Sequence, residues 1–124
     1  MLKKILSAFL SLLSIGAASS NIVNLTVEEF ESLLKEKDVV MLDVRTEKEF
    51  SQSHIKNAIN IDYLKSDFAT RISQLDKNKK YLVYCATGGR SAAACKEMEK
   101  LGFKNCFNLK GGFSAWKRRG RPAE

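Results

Sequence analysis

The stretch Tyr81-Leu-Val-Tyr-Cys85-Ala-Thr-Gly-Gly-Arg90-Ser91 decides how the rest of the chain is read. Tyr81, Leu82, Val83 and Tyr84 make an unbroken apolar run, as a strand buried on both faces requires. From Ser91 onward, Ala94, Met98 and Leu101 recur at helical spacing. Between strand and helix lie Cys85, the pair Gly88-Gly89, and Arg90. A glycine-bearing loop that leads a strand into a helix N-terminus can aim several N–H groups at one point, where the helix dipole adds partial positive charge. Cys85 falls there and is the candidate nucleophile, with Ala86, Thr87, Gly88, Gly89, Arg90 and Ser91 as candidate substrate-binding residues. A free thiol with a pKa of about 8.5 is only about 3 per cent ionised at neutral pH. Bringing it to about 6.5 takes roughly 2.7 kcal/mol, within reach of several N–H donors and an arginine. No histidine base is needed, and the one histidine, His54, lies in another segment. The alternative for Cys85 is a small buried hydrophobe after a strand.

Working outward, strands and helices alternate. Residues 21–24 read as a first short strand, and Thr26-Val-Glu-Glu29 as a capping box opening a helix with Val27, Phe30, Leu33 and Leu34 on one face. Residues 39–44 are an apolar run interrupted by Asp43, hence a buried strand with a polar group near its carboxyl end. A second capping box, Thr46-Glu-Lys-Glu49, opens a short helix. Residues 58–61 read as a strand; Leu64, Phe68, Ile72 and Leu75 mark an amphipathic helix that ends in the turn 76–79. After the helix that follows Cys85, Gly102 suits a left-handed cap. Residues 106–109 form the last strand, and Gly111-Gly112 turns into a final helix carrying Phe113 and Trp116, core residues like Phe107. Such alternation predicts a single α/β domain: a central, mostly parallel sheet with helices on both faces. Ligands in such sheets bind beyond the carboxyl ends of the strands, where Cys85 falls.

Cys85-Ala-Thr-Gly-Gly-Arg90-Ser91 resembles the active-site loop of the rhodanese family of sulfurtransferases. Leu42-Asp43-Val44-Arg45, Glu49-Phe50 and His54-Ile55-Lys56-Asn57-Ala58 are similar to the family's upstream motif. Leu101-Gly102-Phe103, then Asn108-Leu109-Lys110-Gly111-Gly112 and Trp116, resemble its C-terminal signature. The likeness covers about residues 22 to 117; Ser53 and Asn57 depart from it, standing where the family usually has glycine. It implies a rhodanese-like domain over residues 21–120 with a short tail, 121–124. Asp43 and Arg45 fall at the end of their own strand, where they would brace the loop or shape its entrance, and the resemblance implies a supporting role for them. The alternative for that pair is a surface or inter-loop ion pair. His54 is read as a structural hydrogen-bonding residue.

The resemblance implies a thiosulfate sulfurtransferase. A Cys85 thiolate takes the outer sulfur of thiosulfate or a persulfide donor, and a thiol acceptor or cyanide removes it. Arg90 would hold the donor's anionic oxygens, a task suited to a planar guanidinium. No cofactor and no metal are implied. The expected partners are a small anionic sulfur donor and a thiol acceptor, a thioredoxin-like protein among the acceptor class, with the chain itself a monomer. Rival readings are a non-enzymatic binding or sulfur-carrier module on the same fold, and a cysteine phosphatase or arsenate reductase. The latter typically has five residues between cysteine and arginine, whereas this loop has four, Ala86 to Gly89. A thiol–disulfide oxidoreductase lacks its Cys-x-x-Cys pair here.

Residues 1–20 read as an export signal: Lys3 and Lys4, an apolar run from Ile5 to Ile15, then Gly16-Ala-Ala-Ser19. The run falls short of the roughly 20 residues a membrane span needs, so the expectation is a soluble periplasmic protein with no stable membrane association after cleavage. The alternative is an uncleaved anchor. The chain has 21 basic and 14 acidic residues, a net +7; losing Lys3 and Lys4 leaves 19 against 14. That excess suits anionic substrates. No basic stripe interleaved with aromatics, and no nucleic-acid-binding motif, accompanies it. The tail from Lys117 to Arg121 reads as a solvated end. With three cysteines, at least one has no internal partner; Cys85 is the natural free thiol, and Cys95 and Cys106 read as inert packing residues. A Cys95–Cys106 disulfide is the alternative.

Overall fold

β4 (Lys80–Tyr84) is the middle strand of a five-stranded sheet ordered β1-β5-β4-β2-β3, every neighbouring pair parallel. The remaining strands are β1 (Val23–Leu25), β2 (Val39–Asp43), β3 (Ile59–Asn60) and β5 (Asn105–Leu109). The helices are α1 (Val27–Leu33), α2 (Glu47–Gln52), α3 (Phe68–Ser73), α4 (Gly89–Lys100) and α5 (Gly112–Arg118). This computed structural model describes residues 22–124, so the expected export signal lies outside the described residues. No described helix is long and apolar enough to cross a membrane.

Alternation along β4 builds two cores. Tyr81, Val83 and Cys85 face one layer, with Phe68 and Ile72 of α3 and Ala94 and Met98 of α4. Leu82 and Tyr84 face the other, with Val27 and Phe30 of α1 and Phe113 and Trp116 of α5. Each large side chain removed from water contributes about 1.5–3 kcal/mol, which explains why β4, dry on both faces, is apolar throughout its centre. Helices therefore cover both faces, as the alternation predicts.

Both capping boxes form: Thr26 and Thr46 each accept from the N–H three residues on, and Glu29 and Glu49 return the bond. Gly102 takes the left-handed conformation expected of a helix stop. Of the two departures from the family pattern, Asn57 adopts φ +70, a left-handed position that asparagine tolerates. Ser53 is extended at φ −173, so no glycine is required there.

Two expectations change. Leu64 is not on α3: the Asp62 carboxylate accepts from the Leu64 N–H at 2.9 Å, turning the chain and leaving Leu64 66% exposed. The tail is exposed over residues 117–120, as expected, but it is also fastened by backbone and side-chain bonds that were not expected. Arg121 N–H donates to the Trp116 carbonyl, Trp116 Nε1 donates to the Pro122 carbonyl at 2.8 Å, and His54 and Glu124 exchange two backbone bonds of 2.9 and 2.8 Å. His54 also holds the Phe50 carbonyl through Nδ1 at 2.8 Å, so its interactions are with the framework around α2 and the tail.

The connections set up the site. β4 leads through α4 to β5 on one side, while β2 leads through α2 to β3 on the other. Adjacent strands whose chains depart in opposite directions leave a crevice beyond their carboxyl ends.

Candidate active site

Cys85 directly follows β4 at that crevice and is 1% exposed. Its sulfur accepts the Gly88 N–H at 3.1 Å and the Ser91 hydroxyl at 3.3 Å. The loop achieves this because Gly88 caps α4 at φ +111, a conformation costly for other residues, and brings no capping side chain. The first-turn N–H groups of α4 thus remain free for the sulfur. Burial pushes the Cys85 thiol up, but the Ser91 hydroxyl and the N–H groups of Ser91, Gly88 and Thr87 outweigh it, holding the thiol below its ordinary value. Burial without such donors has the opposite result: it pushes Cys95 up, and Cys106 up to about 12. All three cysteines are free thiols.

The turn between β5 and α5 closes the loop from behind. Phe113 N–H donates to the Cys85 carbonyl at 2.8 Å and Ser114 N–H to the Ala86 carbonyl at 3.0 Å. That approach needs Gly112, where a Cβ would stand 2.6 Å from backbone atoms of Cys85 and Ala86, at φ +60. Asn108 reaches across from β5, its Nδ2 donating to Asn24 Oδ1 at 2.8 Å and to the Gly88 carbonyl at 3.4 Å. Its Oδ1 is buried without a hydrogen-bond partner among the described residues.

Arg90 projects from the start of α4 toward α2, where its two terminal nitrogens donate to Glu49 Oε1 at 2.8 Å and Oε2 at 3.2 Å. The Arg90 bond holds the Glu49 carboxyl well below the usual range, at about 2. This bridge spans the crevice from the β4 side to the β2 side. The loop pattern points Arg90 at the substrate and says nothing of Glu49, whose local signal is the capping box with Thr46.

Asp43 and Arg45 are buried, at 0% and 4% exposure, so they form an ion pair that is not a surface one. They form a paired fork with nitrogen–oxygen distances of 2.7 to 3.1 Å, and Arg45 Nη2 also donates to the Ser53 carbonyl at 2.7 Å. The Arg45 guanidinium lies 4.5 Å from the Phe113 ring and 5.6 Å from the Tyr84 ring. The pair thus packs against the two residues that flank Cys85, one preceding it in β4 and one bonded to its carbonyl. Among the described residues no three His, Cys, Asp or Glu side chains converge as metal ligands would.

Known proteins resemble this chain both in sequence and in fold. The family model described as a rhodanese-like domain matches residues 26–119. A sulfurtransferase of Allochromatium vinosum is 33% identical over 92 residues, covering 74% of this chain and 84% of that protein. The thiosulfate sulfurtransferase GlpE of Coxiella burnetii is 35% identical over 85 residues, covering 68% of this chain and 78% of the other. The crystal structure of a rhodanese-related protein from Thermoplasma volcanium superposes with a TM-score of 0.73 at 32% identity, over 82% of this chain and 97% of that one. Sulfur transfer is the activity named for both enzymes. With the family model spanning most of the described chain and a solved relative matched along nearly its whole length, this protein belongs to the rhodanese-like domain family.

Proposed function

We propose that the protein is a thiosulfate or persulfide sulfurtransferase that works through a Cys85 persulfide. The Cys85 thiolate attacks the outer sulfur of the donor; a sulfur–sulfur bond forms at Sγ as the donor's own sulfur–sulfur bond breaks. The bonding pair leaves with sulfite when the donor is thiosulfate, or with a thiolate when it is a persulfide. An acceptor thiolate, or cyanide, then attacks the terminal sulfur, and the electron pair returns to Cys85. The single observation behind this reading is the sulfur's donor ring, the Gly88 N–H at 3.1 Å and the Ser91 hydroxyl at 3.3 Å, which favours the anion throughout the cycle.

Ala86, Thr87, Gly88, Gly89, Arg90 and Ser91 form the substrate-binding loop in this reading, and Asp43 and Arg45 support it from below. The four-residue spacing from Cys85 to Arg90 makes a tighter ring than the five-residue loop typical of cysteine phosphatases, which favours this chemistry over phosphoryl transfer. The proposal extends to an exported, periplasmic, monomeric protein whose sulfur acceptor is a thiol, including that of a thioredoxin-like protein. The test is to mix the reduced protein with thiosulfate and measure intact mass and peptide masses. One sulfur atom added at Cys85, absent in Cys85→Ser, is the expected result. An unmodified, reduced Cys85 with every donor tried overturns the proposal.

A further inference from the structure

Two asparagines tie the Cys85 loop to the far edge of the sheet. Asn24 of β1 and Asn108 of β5 are register partners in the parallel ladder, and their side chains meet. Asn108 Nδ2 donates to Asn24 Oδ1 at 2.8 Å and to the Gly88 carbonyl at 3.4 Å. Gly88 in turn donates its N–H to Cys85 Sγ at 3.1 Å. We propose that Asn108, oriented by Asn24, is a positioning residue for the reaction: it fixes Gly88 so that its N–H stays aimed at the sulfur. The inference rests on Cys85 as the reacting thiolate and adds the two residues that set its donor ring from behind.

Gly88 needs such a hold. It stands at φ +111, and a glycine has a wide range of backbone angles open to it, so contacts rather than its own sterics must fix the N–H direction. The β5–α5 turn backs it: a Cβ on Gly88 would lie 3.5 Å from the Gly111 nitrogen and 3.7 Å from the Leu109 carbonyl oxygen. Its carbonyl accepts the Ala92 N–H at 3.1 Å as the first bond of α4, and Asn108 supplies the second donor. With the carbonyl held from two sides and the N–H on sulfur, both polar ends of Gly88 are committed.

The amide orientation follows from the same contacts. A carbonyl can only accept, so Nδ2 is the end that faces Gly88, and Asn108 Oδ1 is left buried without a protein partner among the described residues. For stability alone that is a poor exchange. Leucine has nearly the same shape and would strand no buried group, because Asn24 is exposed and the Gly88 carbonyl keeps the Ala92 N–H. The return on the asparagine is the aim of the Gly88 N–H. The charged and titratable groups that face Cys85 are Arg90, bridged to Glu49, and Cys95; neither asparagine touches them.

The test follows alkylation of Cys85 by iodoacetamide across pH in the full chain, with the alkylated peptide identified by mass. In Asn108→Leu the pH profile should move upward, with rates about threefold lower on its low-pH limb and equal to wild type at high pH, where the thiol is fully ionised. The change is smaller than for loss of the Ser91 hydroxyl because the Gly88 N–H is loosened, not removed. Thermal unfolding of Asn108→Leu should occur at or above the wild-type temperature. Asn24→Ala, which leaves Asn108 in place without its anchor, should move the profile in the same direction by less. An unmoved profile in Asn108→Leu overturns the proposal, and so does a rate loss equal at every pH together with lower thermal stability, the mark of a merely structural role. If Asn108→Leu fails to fold, Asn24→Ala decides: a profile displaced upward supports the proposal and an unmoved one overturns it. Alkylation needs no sulfur donor, so this outcome is separate from the thiosulfate mass adduct on which the sulfur-transfer reading stands or falls.

Discussion

Replacing Glu49 by Gln separates the charge of the crevice bridge from its architecture. Glutamine can still serve the capping box, accepting the Thr46 N–H that Glu49 Oε1 accepts at 3.0 Å, so α2 keeps its start. What disappears is the negative charge against Arg90. A doubly negative donor held by the free edge of the Arg90 guanidinium would lie on the order of 7 Å from the Glu49 carboxylate. With an effective dielectric of about 40–80 near the surface, its repulsion is about 1–2.5 kcal/mol. A Debye length of about 8 Å at physiological salt reduces that by roughly half. The expected outcome in a thiosulfate-to-cyanide assay is therefore a KM for thiosulfate lower by roughly threefold to tenfold, with kcat little changed and the gain larger at low salt. An uncharged persulfide donor should show almost no change. If KM for thiosulfate rises instead, Glu49 serves to aim Arg90 rather than to restrain its charge, and the electrostatic reasoning is refuted.

Ser91→Ala removes a hydroxyl donor from a buried sulfur and should slow alkylation of Cys85 by iodoacetamide at neutral pH by about tenfold, with the pH profile of the rate displaced upward; an unchanged profile would assign the thiolate to the N–H groups alone. Gly112→Ala forces a methyl to 2.6 Å from the Cys85 and Ala86 backbone at a left-handed φ, so thermal unfolding should show a loss of about 2–4 kcal/mol along with loss of the Cys85 adduct. Asp43→Ala leaves Arg45 buried without its carboxylate and should cost about 3–5 kcal/mol in denaturant unfolding. Because the folded pKa of Glu49 is depressed to about 2 from an ordinary 4.5, its stabilising contribution is full above about 4.5 and lost as pH falls through about 2; acid unfolding of wild type and Glu49→Gln should converge over that window.

The strand–loop–helix around Cys85 was legible because each of its parts carries a strong local signal: an apolar run, a glycine pair, and helical spacing from Ser91. The two capping boxes were legible for the same reason. What escaped was long-range. Glu49 and Arg90 are 41 residues apart, and nothing local in either segment announces the other. Asp43 and Arg45 are neighbours in sequence, but whether they meet in water or beneath a sheet depends on the Phe113 and Tyr84 rings that cover them. Leu64 continues the four-residue apolar rhythm of α3, and only the Asp62 turn removes it from the helix. The tail has no periodicity, so its bonds to Trp116 and His54 could not be anticipated.

The contrast among the three sulfurs matters for keeping cargo. A sulfane sulfur mounted on Cys85 would be an electrophile sharing one core with Cys95, and an ionised neighbour attacking Sγ would close a disulfide and expel the cargo as hydrosulfide. Burial leaves Cys95 and Cys106 almost wholly protonated, hence poor attackers. In the proposed mechanism the fold would thus protect a loaded form from self-consumption, and the lifetime of the charged carrier would be governed by encounters with outside thiols.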